Sequence, residues 1–324
     1  MRCAGPGRYM RTRNLCSNAG TGTVLTAVLM ALVSWRMAPA QAATPAPCMS
    51  TVSGDLRLHR LVSRVFGNQR MIRVLLPPGY DAPENATRRY PVLYLLDGQA
   101  LFDACLSDIS HREWGVDETV DRLVEAKSIP PLIVVGVDNG GAERTREYLP
   151  FKDFVEDPHM AEPVGKRFPD FLANEVIPSV NKRYRTLRGP AHTGIGGSSY
   201  GGVAALYALL KKPAVFGFGL VESAPLWVGH GQLVRDTKPL RVRPRKLYFG
   251  VGGREASSPA TNARMLGLIR AVEANFRAAG YGESRVRVVL DPEAAHNEDA
   301  WAKRLPGALE FLASDGQERA PAPR

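Results

Sequence analysis

The run Ile195-Gly196-Gly197-Ser198-Ser199-Tyr200-Gly201-Gly202 leaves the backbone few choices. It holds a single G-x-S-x-G frame, through Gly197, Ser199 and Gly201; Ser198 falls outside it because Tyr200 stands two residues on. Such a frame suits a sharp turn from a strand into a helix that presents a serine hydroxyl. A Cβ at its glycines would meet the neighbouring strand and helix. The flanks fit that context. Residues 192–195 are short and weakly strand-like, and residues 203–210 are helix formers, apolar on most faces, as in a buried helix. A phosphate-binding loop has a related shape and Gly197 and Gly202 have its spacing. Val203-Ala204 stands where that loop needs its Lys-Ser/Thr pair, so the alternative fails. A purely structural turn is the other alternative.

The rest of the chain alternates strand and helix patterns. Residues 55–66 and 70–76 read as two strands, paired antiparallel at a sheet edge. Residues 91–97 and 132–138 are almost unbroken apolar runs, as expected of strands buried on both faces of a parallel sheet. Residues 216–221, 246–251 and 285–290 give further strands. Helical spacing covers 113–126, 168–184 (interrupted at Pro178), 262–279 and 297–312. This order predicts an α/β fold with a mostly parallel central sheet flanked by helices and antiparallel N-terminal edge strands. Right-handed crossovers then gather the loops after the strands along one edge.

Residues 1–43 read as a secretory signal peptide. They have arginines at 2, 8, 11 and 13 with no acid, an apolar run over 24–33, and A-x-A frames in Ala38-Pro39-Ala40-Gln41-Ala42-Ala43. The apolar run is short for a permanent membrane helix, the alternative reading. Cleavage after Ala42 or Ala43 predicts a periplasmic or secreted product with no stable membrane anchor. The formal charge of +10 includes five arginines of this leader; without them about +5 remains on some 280 residues. No dense Lys/Arg run with interleaved aromatics supports nucleic-acid binding. Cys48 and Cys105 remain after cleavage, an even pair for an oxidising compartment, with a disulfide and two free thiols both open. One domain over residues 44–313 is expected, followed by a disordered tail at 314–324.

A serine hydroxyl needs a base beside it to act as a nucleophile. In this fold class the chain order is Ser, acid, His. Of the histidines after Ser199, His296 is expected in a loop between the strand ending at Leu290 and the last helix pattern, and is preferred to His230, which follows an earlier strand. Glu255 lies just past the strand at 246–251, behind Gly252-Gly253, which are expected to let the chain turn so that the carboxylate points at the base, and is the candidate acid. Asp291 and then Glu222 are the alternatives, and Glu255 could instead be a solvated partner of Arg254. The oxyanion donors are expected at the amide of Tyr200 and at Gly98 or Gln99, in the loop after the strand at 91–97. Arg144 and Trp227 are candidate substrate contacts, although the arginines at 144 and 146 could pair with Glu143 or Glu147. The six histidines show no metal-ligand spacing, so neither metal nor organic cofactor is expected.

As a set, Leu95-Leu96-Asp97-Gly98-Gln99, Leu101-Phe102-Asp103, Val116-Asp117-Glu118, Val134-Val135-Gly136-Val137-Asp138-Asn139, Arg144 with Glu147-Tyr148, Gly196 to Gly202, and His296-Asn297-Glu298-Asp299-Ala300-Trp301 resemble the putative-esterase family of α/β-hydrolases. The resemblance spans residues 55–313. That family includes esterase D-like, enterobactin and salmochelin, and feruloyl and acetyl-xylan esterases, and mycolyltransferases. It implies a serine esterase using Ser199 and His296 on a small-molecule ester, with Tyr200 where many members have Met. Export, the basic excess, and Arg144 and Arg146 favour a siderophore trilactone of the enterobactin type. A feruloyl or acetyl carbohydrate ester is second, and a non-catalytic binding protein on the same fold is the alternative of a different class.

Overall fold

The computed structural model describes residues 48–107, 111–238 and 244–314. The leader and the tail beyond Ser314 lie outside them. Among the described residues, eight strands form one sheet: β1 (Asp55–Val62), β2 (Gln69–Leu76), β3 (Val92–Leu96), β4 (Ile133–Val137), β5 (Thr193–Ser198), β6 (Phe218–Glu222), β7 (Lys246–Arg254) and β8 (Val286–Ala295). Their spatial order is β1-β2-β4-β3-β5-β6-β7-β8. β1 pairs antiparallel with β2, and β2 antiparallel with β4; every later pairing is parallel. This is the α/β-hydrolase arrangement expected from the sequence, with β1 at the edge and β2 one strand inside it.

The helices are α1 (Val116–Glu125), α2 (Arg144–Tyr148), α3 (Phe168–Phe171), α4 (Ile177–Arg183), α5 (Tyr200–Lys211), α6 (Val228–Asp236), α7 (Pro259–Ala278) and α8 (Glu298–Ala313). They cover both sheet faces. α3, α4, α5 and α7 contribute to one apolar core, while α1 and α8 contribute Val116, Val120, Leu123, Trp301 and Leu305 to the other. β3 and β4 are buried at every position, which is why their sequences run apolar without alternation. β5 is buried too but built on glycine. A Cβ on Gly194 would strike the Phe218 ring, and one on Gly196 would sit 2.8 Å from the Leu220 Cβ.

Three expectations change. Pro178 does not break the helix at 168–184. A π turn over Leu172–Val176 links α3 to α4, and Pro178 follows directly after this widened turn. Gly252 and Gly253 do not turn the chain; they lie inside β7. A Cβ on either would collide with the β8 backbone, at Ala294 and Pro292 respectively, so these glycines permit close approach of two strands. β8 accordingly runs through Asp291 and Pro292 to Ala295, and His296 follows a strand end, not a loop. Cys48 and Cys105 are joined in a disulfide.

Candidate active site

β5 ends on the buried Ser198, and Ser199 begins the turn into α5 with φ 54° and ψ −130°. A non-glycine residue in the left-handed region is uncommon and costs on the order of 1–3 kcal/mol. The surroundings enforce it. The Ser199 N–H donates to the Glu222 carbonyl at 2.9 Å. A Cβ on Gly197 would lie 2.8 Å from the Gly201 backbone, and one on Gly201 would lie 2.9 Å from Asp97 Oδ2. The frame chosen from sequence is therefore the one that carries the strained turn. Ser199 and His296 line one cavity of about 460 Å³ at the carboxyl ends of the strands, with Asp97, Gln99, Arg144 and Trp301 among its walls.

His296 stands between the end of β8 and Asn297, whose side chain caps α8 by accepting from the Ala300 N–H at 3.0 Å. Its Nδ1 meets Glu255 Oε2 at 2.7 Å. Glu255 is almost fully buried. Its Oε1 accepts from the Ser223 hydroxyl at 2.6 Å and from the Gly252 N–H. Burial pushes this carboxyl up, but the hydrogen bonds from His296, Ser223 and Gly252 outweigh it and leave it below the ordinary glutamate value. An ionised carboxylate only accepts, so the proton in the contact belongs to Nδ1, and in a neutral imidazole Nε2 then carries the lone pair. The other candidates are elsewhere. Asp291 is bonded to Lys303 at 2.8 Å, and Glu222 to Arg304 at 2.7 Å. Arg254 pairs with Glu293, not Glu255. His230 is exposed and stacked on Phe154, ring centroids 4.6 Å apart.

Across the cavity, Asp97 follows β3 in the left-handed region at φ 59° and leads into a short 3-10 turn, Gly98–Ala100. The first amides of such a turn have no partner within it, and the amide of Tyr200 opens α5 in the same way. A Cβ on Gly98 would lie 2.6 Å from Asp138 Oδ1 and 2.8 Å from the Gly136 carbonyl carbon, so only glycine fits. Arg144 lines the cavity, but its guanidinium is engaged: Nε and an Nη bond the two Asp97 oxygens at 2.6 and 2.8 Å. Asn139 adds a third bond to Asp97 at 2.7 Å, and the Asp97 N–H donates to the Tyr148 hydroxyl at 3.1 Å. Neither acid proposed as a partner of Arg144 holds it. Glu143 bonds Arg146, and Glu147 bonds Arg70. Trp227 is buried, its indole N–H on Asp153 at 3.3 Å, and it is not among the cavity's walls. The Tyr200 hydroxyl reaches the same Asp153 at 3.0 Å.

Sequence reasoning missed Ser223, Trp301 and the clamp on Asp97. Glu222-Ser223 at a strand end and a tryptophan five residues past His296 were visible, but nothing in their spacing reveals the bonds that join them. Among the described residues, no cluster of three or more His, Cys, Asp or Glu is placed to hold a metal, and no helix is long and apolar enough to cross a membrane.

The sequence model of the family described as "Putative esterase" matches residues 63–312. An endo-1,4-β-xylanase/feruloyl esterase of Xylanibacter ruminicola is 24% identical over 78% of this chain and 30% of its own length. A siderophore triacetylfusarinine C esterase of Aspergillus fumigatus is 26% identical over 50% of this chain and 53% of its own. The crystal structure of an IroE-like serine hydrolase from Shewanella oneidensis superposes with a TM-score of 0.65 at 22% identity, covering 80% of both chains, a likeness of fold.

Proposed function

The chain belongs to the putative esterase family, and from that premise we propose that its carboxylic-ester hydrolysis runs through an acyl-enzyme on Ser199. The bond from His296 Nδ1 to a buried, ionised Glu255, with His296 and the strained Ser199 lining one cavity, is the observation that carries this reading. His296 Nε2 takes the Ser199 proton as Oγ attacks the ester carbonyl carbon, and Glu255 stabilises the imidazolium that forms. The oxyanion is met by the amide of Tyr200 and that of Gly98 or Gln99. His296 returns the proton to the departing alcohol. A water, activated by the same nitrogen, then releases the acid and restores Ser199. Ser199→Ala should lose on the order of 10³-fold or more in kcat, while Ser198→Ala stays active. The reverse result would move the nucleophile. A fluorophosphonate that fails to label the wild type would favour a non-catalytic binding protein.

For the substrate we propose a siderophore ester of the trilactone type. Support comes from the triacetylfusarinine C esterase among the relatives and from a cavity walled by Trp114 and Trp301, suited to flat aromatic groups. Charge attraction by Arg144 no longer contributes, because Asp97 neutralises it. The same aromatic walls and the feruloyl-esterase relative favour an aromatic carbohydrate ester as the second reading. Comparing kcat/KM for enterobactin and methyl ferulate separates the two; a ratio favouring the ferulate reverses the order. Export is also proposed: protein recovered from the periplasm or medium should begin near Ala43 or Thr44 by N-terminal sequencing, and an intact Met1 there would refute the leader.

A further inference from the structure

Behind Glu255 lies a buried chain of polar groups. Ser223 follows β6 at φ 49°, fully buried, with its N–H held by the Gly250 carbonyl at 2.8 Å. Its hydroxyl has three neighbours: Glu255 Oε1 at 2.6 Å, the Trp301 Nε1 at 2.9 Å and an Arg304 Nη at 3.4 Å. An indole N–H and a guanidinium can only donate. The oxygen of Ser223 is therefore their acceptor, and its one proton has a single destination, the carboxylate of Glu255. The Trp301 ring also stands edge-on against the His296 ring, centroids 5.2 Å apart at 86°. One tryptophan thus packs the imidazole and sets the polarity of the hydroxyl that holds the imidazole's partner.

We propose that Ser223 is a positioning residue, its hydroxyl polarised by Trp301 and committed to Glu255, that keeps Glu255 ionised and aimed at His296. This rests on the reading of Ser199, His296 and Glu255 as a triad. Two alternatives are weaker on the same geometry. If Ser223 only filled space, its hydroxyl would not need two donors and an acceptor in line. If Arg304 were the group that tunes Glu255, it would bond it directly; instead both its shorter bonds go to Glu222 Oε2, at 2.9 and 2.7 Å.

The test is the pH profile of kcat/KM for a p-nitrophenyl ester. A hydrogen bond donated to Glu255 stabilises the unprotonated Glu255–His296 pair. Removing it raises the pair's proton affinity, so the acid limb must move to higher pH. Other charged groups around the pair are Glu222 and Arg304 behind it, and Asp97, Arg144 and Glu298 around the cavity. None is altered by the substitution. Ser223→Ala is expected to lower kcat on the order of 10- to 100-fold, the size of a hydrogen bond to a charged group, with KM little changed and the acid limb raised. Trp301→Phe, which keeps an aromatic ring but loses the N–H, should shift the limb the same way by less. If Ser223→Ala does not fold, Ser223→Gly replaces it, since glycine accepts the positive φ. A folded Ser223 variant with an unmoved acid limb overturns the proposal, as does Trp301→Phe with an unmoved one. If the wild type itself resists fluorophosphonate labelling, the triad reading falls and takes this inference with it. A labelled wild type with unshifted variants sinks this inference alone.

Discussion

Two carboxylates flank Ser199, each just past the end of a parallel strand, and they are held in opposite ways. Glu255, after β7, is buried and receives its hydrogen bonds from Ser223, the Gly252 amide and His296. Asp97, after β3, is gripped through both oxygens by Arg144 and again by Asn139. In the proposed mechanism the difference has a reason. A carboxylate that must stabilise a transient imidazolium needs its charge left uncompensated in the resting state, so its fixed donors are neutral. A guanidinium bonded to it would already have spent that charge. The nearby cation, Arg304, is bonded to Glu222 and stands one hydroxyl away. Asp97 has the other task. It sits in a left-handed conformation at the head of the loop proposed to carry the oxyanion donors, and the ion pair fixes that shape.

The largest effect should come from taking the charge on the base side. Glu255→Gln keeps volume and hydrogen-bonding capacity but leaves no anion opposite Nδ1. A kcat loss of roughly 10⁴-fold is expected, with KM little changed. Asp291→Asn should stay near wild type, because that carboxylate is bonded to Lys303 on the surface. A severe loss from Asp291→Asn, or equal mild losses from both, would leave Glu255 without a special role and break the comparison.

Most of the framework behind this contrast could be read from the residues. The unbroken apolar runs fixed β3 and β4 as doubly buried strands, and the single motif frame fixed which serine sits at the turn. Glu255 was reachable because chain order places an acid past the strand at 246–251, even though its two glycines serve strand packing and not a turn. Partnerships between distant side chains were not legible. Arg144 looked like a free cation for an anionic substrate because its partner, Asp97, lies 47 residues away and only the sheet order brings them together. Trp227 looked available in a loop, but Asp153 draws it into the core. Spacing along a chain predicts periodic faces; it carries no information on which of many charged residues meet across a β-sheet edge.

A smaller effect is expected on the oxyanion side. Arg144→Gln leaves Asp97 with Asn139 alone and loosens the loop that carries Gly98 and Gln99. Since removal of an oxyanion donor costs about 10²–10³-fold, displacing one should cost up to about 10²-fold in kcat. KM should change little if Arg144 acts through Asp97. A rise in KM for anionic esters only, with kcat intact, would instead return Arg144 to substrate binding and erase the contrast between the two carboxylates.

The smallest effect lies in the pair behind the base side and is read in stability. Glu222 is fully buried, with one oxygen bonded to Arg304, and burial pushes its carboxyl up to about 7 from an ordinary 4.5. The folded protein therefore holds this proton where the unfolded chain has released it. The sign follows: the contribution is fully present below about pH 4.5, declines as pH rises, and is gone above about 7. Glu222→Gln cannot titrate, so it should lack that decline, a relative difference on the order of 1–3 kcal/mol across the window. For a domain of this size each kcal/mol corresponds to roughly 2–4 °C in Tm. The substitution also changes the group that Arg304 bonds, which moves the level of stability, so the slope of Tm against pH is the informative quantity and the level is not. Glu255, whose carboxyl is held low, titrates with the opposite sign and below this window, and it is present in both proteins. Parallel Tm curves between pH 4.5 and 7 would mean that Arg304 keeps Glu222 ionised throughout. The cation nearest the base side would then be neutralised at every working pH, and Ser223 would face Glu255 with no titrating group behind it.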